Sequence, residues 1–226
     1  MNITANRLTA AAGLCAALAG ALFIGVQINH PHLDATSIQT TEMAVRDMLK
    51  MLMAVLALAG LTGMYLSQVR RNGIVGLVGY LVLGSGYLLI MCTAFVAAFV
   101  LPTVAAANPD YANDVLAATT GSSPAGDIGA LAIIAKTQDF AYLAGGVVFG
   151  IALFRARVLA RWATVLLAVG GAVSAAISLM PDAFYRLLAF PNGIAMIGLG
   201  VSLWLVQRKA SAVANSASHA EVPAVR

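Results

Sequence analysis

Charged side chains are scarce in this sequence. Lysine, arginine, aspartate and glutamate make up 10% of the 226 residues, whereas hydrophobic residues make up 61%. A water-soluble domain needs more polar side chains than this to cover its surface. The low charge and the mean hydropathy of +0.89 therefore exclude a separate soluble domain and predict an integral membrane protein whose main partner is the lipid bilayer.

Residues that bind metals or haem are also few. The sequence has 2 cysteines and 3 histidines, and none of them forms a Cys-x2-Cys or His-x3-His spacing. A structural zinc site needs four ligands and a catalytic one needs three. Only His30 and His32 lie close together, on either side of Pro31, and we interpret them as a solvated turn. We therefore predict no metal and no cofactor.

The net charge of +4 does not indicate binding of nucleic acid. The cations lie in short clusters between apolar stretches, and no basic face is interleaved with aromatic residues. We interpret the clusters as topology signals, because loops that stay in the cytoplasm carry an excess of lysine and arginine. The clusters are Arg7, then Arg70 and Arg71, then Arg155, Arg157 and Arg161, then Arg208 and Lys209.

Six apolar segments approach the ~20 residues that a helix needs to cross a bilayer. Within lipid, a backbone satisfies its hydrogen bonds only in a helix or a closed barrel. The segments are too long for barrel strands and lack their alternation. The predicted fold is therefore all-α, a polytopic bundle of six transmembrane helices. These span about 8–28, 47–68, 74–101, 139–154, 158–180 and 184–206.

The basic clusters fall at every second boundary between these segments. An even number of crossings with both termini in the cytoplasm satisfies this pattern. Every acid except Glu221 then lies on the outer side of the membrane. The outer acids are Asp34, Glu42, Asp47, Asp110, Asp114, Asp127, Asp139 and Asp182.

Two segments fall outside the predicted crossings, an outer loop at 102–138 and a C-terminal segment at 210–226. In the loop, Asn108 before Pro109 is the order of a helix start, which predicts a short helix through about Ala118. Asp127 is placed to cap the helix that leads into the fourth crossing. Residues 210–226 are small, polar and without period, so we predict a disordered cytoplasmic tail.

The candidate functional side chains belong to the outer side. Glu42 and Arg46 are spaced to pair on the second helix, as are Asp47 and Lys50. Pairing accounts for charge at the lipid boundary, and a carboxylate held there is also a candidate acid or cation site. Asp139 lies at a predicted boundary, so its position inside the membrane or in water stays open. The candidate outer-face ligand or proton site comprises Glu42, Arg46, Asp47, Asp139, Tyr87, Asp182, Arg186 and Asn192.

Two further patterns concern helix geometry. Pro191 removes a helical hydrogen bond, which predicts a kink or break in the last helix. Small residues recur at every fourth position of the first helix, which indicates close contact with another helix, either within the bundle or in a homo-oligomer. These small residues are Thr9, Gly13, Ala17, Ala21 and Gly25.

Three stretches carry a family resemblance: Leu8-Thr9-Ala10-Ala11-Ala12-Gly13 opening the first helix, Met64-Tyr65-Leu66 closing the second, and Pro191 to Trp204 in the last. In these the chain resembles uncharacterised multi-pass membrane proteins of actinobacteria, described as a domain of unknown function. The resemblance implies a bacterial cytoplasmic membrane. It provides no catalytic or binding residue.

The sequence favours a non-enzymatic bundle associated with the membrane or envelope. The alternatives are a transporter or channel for a small molecule or lipid, and an enzyme acting on a lipophilic substrate. Both alternatives need a site in the outer half, where a hydrophobic small molecule or lipid would be the ligand. No charged residue lies at the middle of a predicted crossing, which argues against ion coupling through the centre. We expect any site to lie beneath the segment 102–138.

Overall fold

The computed structural model describes residues 4–177 and 189–220, and within these ranges every secondary-structure element is helical. A 3-10 turn at Ser37–Gln39 and a π-helical turn at Val96–Val100 accompany eight α-helices. The α-helices are α1 Ala5–Gly25, α2 Thr41–Leu66, α3 Val69–Phe95, α4 Leu101–Ala107, α5 Pro109–Thr119, α6 Ala130–Ala156, α7 Arg161–Ile177 and α8 Ala189–Ala220.

Five helices in the described ranges are long and apolar enough to cross a membrane, so the predicted all-helical membrane fold is confirmed at that level. The fifth predicted crossing, 158–180, is described only as α7, which is apolar but shorter. Residues 178–180 of this crossing and the start of the predicted last helix, 184–188, lie outside the described ranges. The five spans are Ala5–Gly25, Thr41–Leu66, Val69–Ala107, Ala130–Ala156 and Phe190–Val213.

The helices form a closed ring in which each contacts its neighbours. Going round the ring, α1 packs on α2, α2 on α3, α3 on α6, α6 on α7, α7 on α8, and α8 returns to α1. Large apolar side chains fill the centre, and others cover the outside, where lipid would solvate them. Fully buried side chains of the centre include Met53, Leu61, Leu83, Phe149, Leu153, Met196, Leu199 and Leu203.

Glycines allow α1 and α8 to touch backbone to backbone. A Cβ atom on Gly13 would lie 2.7 Å from the carbonyl oxygen of Gly200, and one on Gly20 would collide with the carbonyl oxygen of Gly193. The predicted close contact therefore lies within the bundle. Gly25, the last residue of the predicted stripe, does not take part in this contact and has open space beside it. A strict four-residue repeat drifts around a helix of 3.6 residues per turn, so its far end leaves the interface.

The third crossing does not end at 101 as predicted, because Pro102 does not terminate the helical chain. The amide of Leu101 donates to the carbonyl of Val96, five residues back, which is a π-helical bond. Because this turn contains one extra residue, it accommodates Pro102, which has no amide hydrogen to donate. The chain then continues as α4 to Ala107. Much of the predicted outer loop is therefore helical.

We call the end of the bundle where α1 ends and α2 begins the outer end. The 3-10 turn, α4 and α5 cover it, and we call these elements the outer cap. Asn108 caps α5 by accepting from the amide of Tyr111 at 3.2 Å, so the predicted helix at Pro109 is confirmed. The cap has its own apolar core, formed with α2 and the start of α6: Ala35, Ile38, Met43, Leu101, Ala105, Ala112, Val115, Leu116 and Ile128.

The predicted cap of the fourth crossing is wrong in detail. Asp127 accepts from the amide of Gly129 at 2.8 Å in a turn, and Gly129 itself is the N-cap residue of α6. Gly129 has φ of 60°, a conformation that favours glycine over other residues. α6 begins at Ala130 and α2 at Thr41, both before their predicted starts, because a helix can continue past the apolar stretch into polar sequence.

The last helix continues to Ala220, into the segment predicted to be a disordered tail. Residues 210–220 are rich in alanine, the strongest helix former, which gives a physical reason for the extension. Pro191 is the third residue of α8 as described. The predicted kink concerns residues before 189, which lie outside the described ranges.

Candidate functional site

A cavity of about 570 Å³ lies between the outer end of the bundle and the outer cap, and we call it the outer chamber. Its size is typical of small-molecule sites, ~300–1,000 Å³. Side chains from α1, α2, α3, α5 and α6 line it. The exposed residues His32 and Ser122 are among them, so the chamber reaches the outer surface. Its other polar lining residues include His30, Asp47, Lys50, Asn113, Gln138 and Asp139.

Aromatic and aliphatic side chains form the apolar wall of the chamber. Phe23 and Tyr142 line it and meet edge to face, with ring centroids 6.2 Å apart. Tyr87 packs behind Tyr142 at 5.4 Å and is 2% exposed. Ile90 and Ala94 of α3 complete this side. Tyr87 therefore belongs to the wall that positions Tyr142 and is not itself among the lining residues.

Asp47 and Lys50 form a buried ion pair at the chamber, as their spacing predicts. Lys50 Nζ lies 2.7 Å from Asp47 Oδ1, and Asp47 is 2% exposed. The second carboxylate oxygen, Asp47 Oδ2, is buried without a hydrogen-bond donor. Leaving such an oxygen unsatisfied costs ~1–3 kcal/mol or more for a charged group. A ligand or water that donates a hydrogen bond to Oδ2 would remove this cost.

Asp139 lines the chamber from α6, one residue after Gln138. Thr93 Oγ1 donates to Gln138 Oε1 at 2.7 Å, which joins α3 to α6 and leaves the Gln138 amino group available. Within the described ranges no side chain donates a hydrogen bond to Asp139 or forms an ion pair with it. The sequence left open whether Asp139 lies in lipid or in water, and in the structure its carboxylate lines the chamber.

Arg46 acts at the end of α1 rather than in the chamber. Its guanidinium group donates to the carbonyl oxygens of Val26 at 2.8 Å, Ile28 at 3.1 Å and Asn29 at 3.2 Å. It also binds Glu42 Oε1 at 2.8 Å, which confirms the predicted pair. Carbonyl groups at a helix end lack intrahelical partners, so a cation there supplies both hydrogen bonds and favourable charge.

A turn beside the mouth of the chamber holds Asp34 as a carboxylate. Asp34 Oδ1 accepts from the amides of Ser37 at 2.7 Å and Thr36 at 2.9 Å. The Ser37 amide, foremost among these contacts, holds the pKa of Asp34 below its usual value of 3.8. His32 Nδ1 lies 3.6 Å from Asp34 Oδ2. Asp34 is therefore charged at neutral pH, and its charge is already met by local donors.

The two histidines line the chamber and have separate surroundings. His30 is 8% exposed, and its Nδ1 lies 2.8 Å from the carbonyl oxygen of Pro31. His32 points to solvent beside Asp34. Within residues 4–177 and 189–220, no three histidine, cysteine or acidic side chains are grouped so as to hold a metal ion.

The remaining predicted site residues lie elsewhere. Asn192 is 3% exposed, and its side chain packs against Gly170 of α7, away from the chamber. Asp182 and Arg186 are outside the described ranges. The structure therefore brings Asp47 and Asp139 to one cavity, keeps Tyr87 in its wall, and separates Glu42, Arg46 and Asn192 from it.

Sequence reasoning missed several lining residues, notably Phe23, Thr93, Asn113 and Gln138. Asn113 comes from α5, whose position depends on the fold of the outer cap. Asn113 Oδ1 accepts from the amide of Ala35 at 2.7 Å, which fixes α5 against the segment after α1. For Gln138, the available signal was a polar residue at the predicted membrane boundary, whereas Thr93 is a polar residue inside the predicted crossing 74–101.

Comparison with known proteins finds no matching family model, no matching curated protein and no matching solved structure.

Proposed function

We propose that this protein binds a small molecule in the outer chamber and does so without chemical conversion. In this proposal the chain crosses a bacterial cytoplasmic membrane six times with both termini in the cytoplasm. The alternating basic clusters support that orientation, and the resemblance to actinobacterial membrane proteins supports that membrane. The mouth beside His32 and Ser122 then opens away from the cytoplasm.

Asp47 carries this proposal, because it lines a chamber of ligand size and its buried oxygen Oδ2 has no hydrogen-bond donor among the described residues. Buried polar atoms are nearly always hydrogen-bonded, so an unsatisfied one on a residue beside a cavity is a candidate contact for a ligand or water. The chamber also combines an apolar wall with a few polar groups, the usual composition of small-molecule sites.

Packing beneath the chamber favours binding over transport. Phe149 lies two helical turns beyond Tyr142 along α6 and is fully buried. The backbone of Phe149 is close-packed on Gly79 of α3, where a Cβ atom would lie 2.5 Å from its nitrogen. A molecule leaving toward the other end of the bundle would have to separate α3 from α6 there.

Cysteine labelling tests whether solutes enter the chamber. Cys15 and Cys92 are replaced by alanine, and one cysteine is introduced at Ala94, which lines the chamber. The matched control places it at Ala98, which is 6% exposed against 5% for Ala94 but does not line the chamber. The reagent is a small water-soluble maleimide. It is added to right-side-out vesicles, in which the outer end of the protein faces the external solution, and labelling is measured by intact mass.

We expect the Ala94→Cys thiol to react at least about tenfold faster than the Ala98→Cys thiol, because only a solvated thiolate reacts. Equal, slow labelling of both variants would contradict an accessible chamber. Folding of each variant is checked by its thermal unfolding temperature in detergent.

A further inference from the structure

We infer that the ligand of the outer chamber is an organic ammonium ion, an amine carried on an apolar body, with Asp47 and Asp139 as its recognition groups. This inference rests on the proposed function and names the chemical class of its ligand. It follows from the charge of the lining, from the acceptors that stay unpaired and from the shape of the wall.

The charge of the lining is unbalanced. Asp34, Asp47 and Asp139 contribute three carboxylates, and Lys50 contributes the one lysine among the residues that line the chamber. Lys50 is already bound to Asp47 Oδ1, and the amides of the turn already satisfy Asp34. The charge of Asp139 therefore has no counterion among the described residues of the lining. A cation entering the chamber gains this attraction, and an anion is repelled.

The carboxylates of Asp47 and Asp139 have unpaired acceptors, which a ligand with several hydrogen-bond donors would satisfy. Among the described residues, none donates to Asp47 Oδ2 and none donates to the Asp139 carboxylate. A primary ammonium group has three N–H donors and no acceptor, so it matches a lining of free carboxylate oxygens. Its hydrogen bonds to carboxylates are charge-assisted and stronger than those between neutral groups.

The shape of the chamber points to an organic cation rather than a metal ion. Hard metal ions require six or more oxygen ligands, and the described residues hold no cluster of three acidic or histidine side chains suited to an ion. The volume of about 570 Å³ is also far larger than an ion needs. Phe23, Tyr142 and Ile90 supply an apolar surface for the body of the ligand, and aromatic faces attract an ammonium ion.

The test uses three probes that share one apolar body: phenethylamine, 2-phenylethanol and phenylacetate. Their affinities are measured by isothermal titration of the full chain in lipid nanodiscs, with empty nanodiscs to subtract partition into lipid. We expect phenethylamine to bind at least about tenfold more tightly than the alcohol, and phenylacetate to be the weakest of the three.

Two variants assign this selectivity to the chamber. Asp139→Asn removes the charge with little change of shape, and we expect it to weaken phenethylamine at least about tenfold and leave the alcohol unchanged. Asp110→Asn is the matched control, because Asp110 is exposed on the same outer side but does not line the chamber. For the second group, Asp47→Asn combined with Lys50→Gln avoids a buried unpaired lysine and is expected to weaken the amine in the same way.

The outcomes separate this inference from the proposed function. If the alcohol binds as tightly as the amine, or if Asp139→Asn has no effect on the amine, the ammonium class is wrong and the chamber remains a binding site. If no probe binds although Ala94→Cys reacts, the ammonium inference is also overturned. If no probe binds and Ala94→Cys is as inert as Ala98→Cys, the proposed function fails as well.

Discussion

Arg46 of α2 holds the end of α1 by donating from Nη1 to the carbonyl oxygen of Val26 at 2.8 Å. The same guanidinium group reaches two further carbonyls after α1 and the carboxylate of Glu42. Phe23, which lines the outer chamber, lies one turn before Val26. The position of one chamber wall thus depends on a charged side chain for which the sequence predicted an ion pair and a place in the outer-face site, but no contact with α1.

Replacing Arg46 by methionine should destabilise the outer end of the bundle. The variant leaves three carbonyl groups without their donor. A hydrogen bond to a charged group contributes ~1.5–3 kcal/mol to stability. We expect a loss of about 2 kcal/mol in unfolding free energy. Glu42→Gln removes only the exposed ion pair and should cost under about 1 kcal/mol. Reversible unfolding in mixed micelles measures both, and equal losses would show that the carbonyl contacts contribute nothing.

The same substitution, glycine to alanine, should change stability differently at two positions of α1. A Cβ atom at Gly20 would collide with the carbonyl oxygen of Gly193 and lie 2.9 Å from the nitrogen of Ile197, whereas one at Gly25 meets nothing within 4 Å. Gly20→Ala must therefore push α1 away from α8, at a cost of ~1–3 kcal/mol. Gly25→Ala should leave stability unchanged or slightly raised. The free energy of unfolding is measured for both variants. If Gly20→Ala leaves it unchanged, the close packing of α1 on α8 is contradicted.

The outer cap should loosen when Asp114 is changed to asparagine. Asp114 accepts from the amides of Ala125 at 2.7 Å and Gly126 at 3.0 Å, one with each carboxylate oxygen. Asparagine keeps one acceptor and loses the charge, so we expect faster hydrogen exchange at these two amides, by about tenfold. Asp110→Asn on the same helix is the control. Unchanged exchange in Asp114→Asn would show that the segment is held by other contacts.

Reporter fusions test the proposed orientation. Alkaline phosphatase inserted between Ser122 and Ser123 should be active, because this position lies in the predicted outer segment and the enzyme needs an oxidising compartment. A fluorescent protein fused after Arg226 should be fluorescent, and phosphatase fused there should be inactive. The reverse pattern would overturn the topology inferred from the basic clusters.

The sequence was most informative about features that depend on near neighbours. The apolar segments, the cap of Asn108 on α5 and the pairs Glu42 with Arg46 and Asp47 with Lys50 all follow from spacings of three or four residues or from a run of hydrophobic residues. The cap and both pairs were found in the structure, and five of the six apolar segments were found as helices long enough to cross a membrane.

Features that depend on the meeting of distant segments could not be predicted. Whether Pro102 ends a helix depends on a π-helical turn that the surrounding contacts support. The contact of Asn113 with Ala35 joins residues 78 apart in the chain. Asp139 stays a candidate from its type and position, and the cavity that it lines forms only when the cap has folded over the bundle.

Charge-selective labelling of the Ala94→Cys variant tests the central claim most directly. Two methanethiosulfonate reagents are compared, one ending in trimethylammonium and one in sulfonate, and the ratio of their rates cancels differences in the reactivity of the thiol. Both should reach the thiol from the outer side, the cationic reagent at least about tenfold faster, and Asp139→Asn should bring the ratio close to that of free cysteine. An unreactive thiol, or a ratio that Asp139→Asn does not change, would contradict an outward chamber that selects for cations.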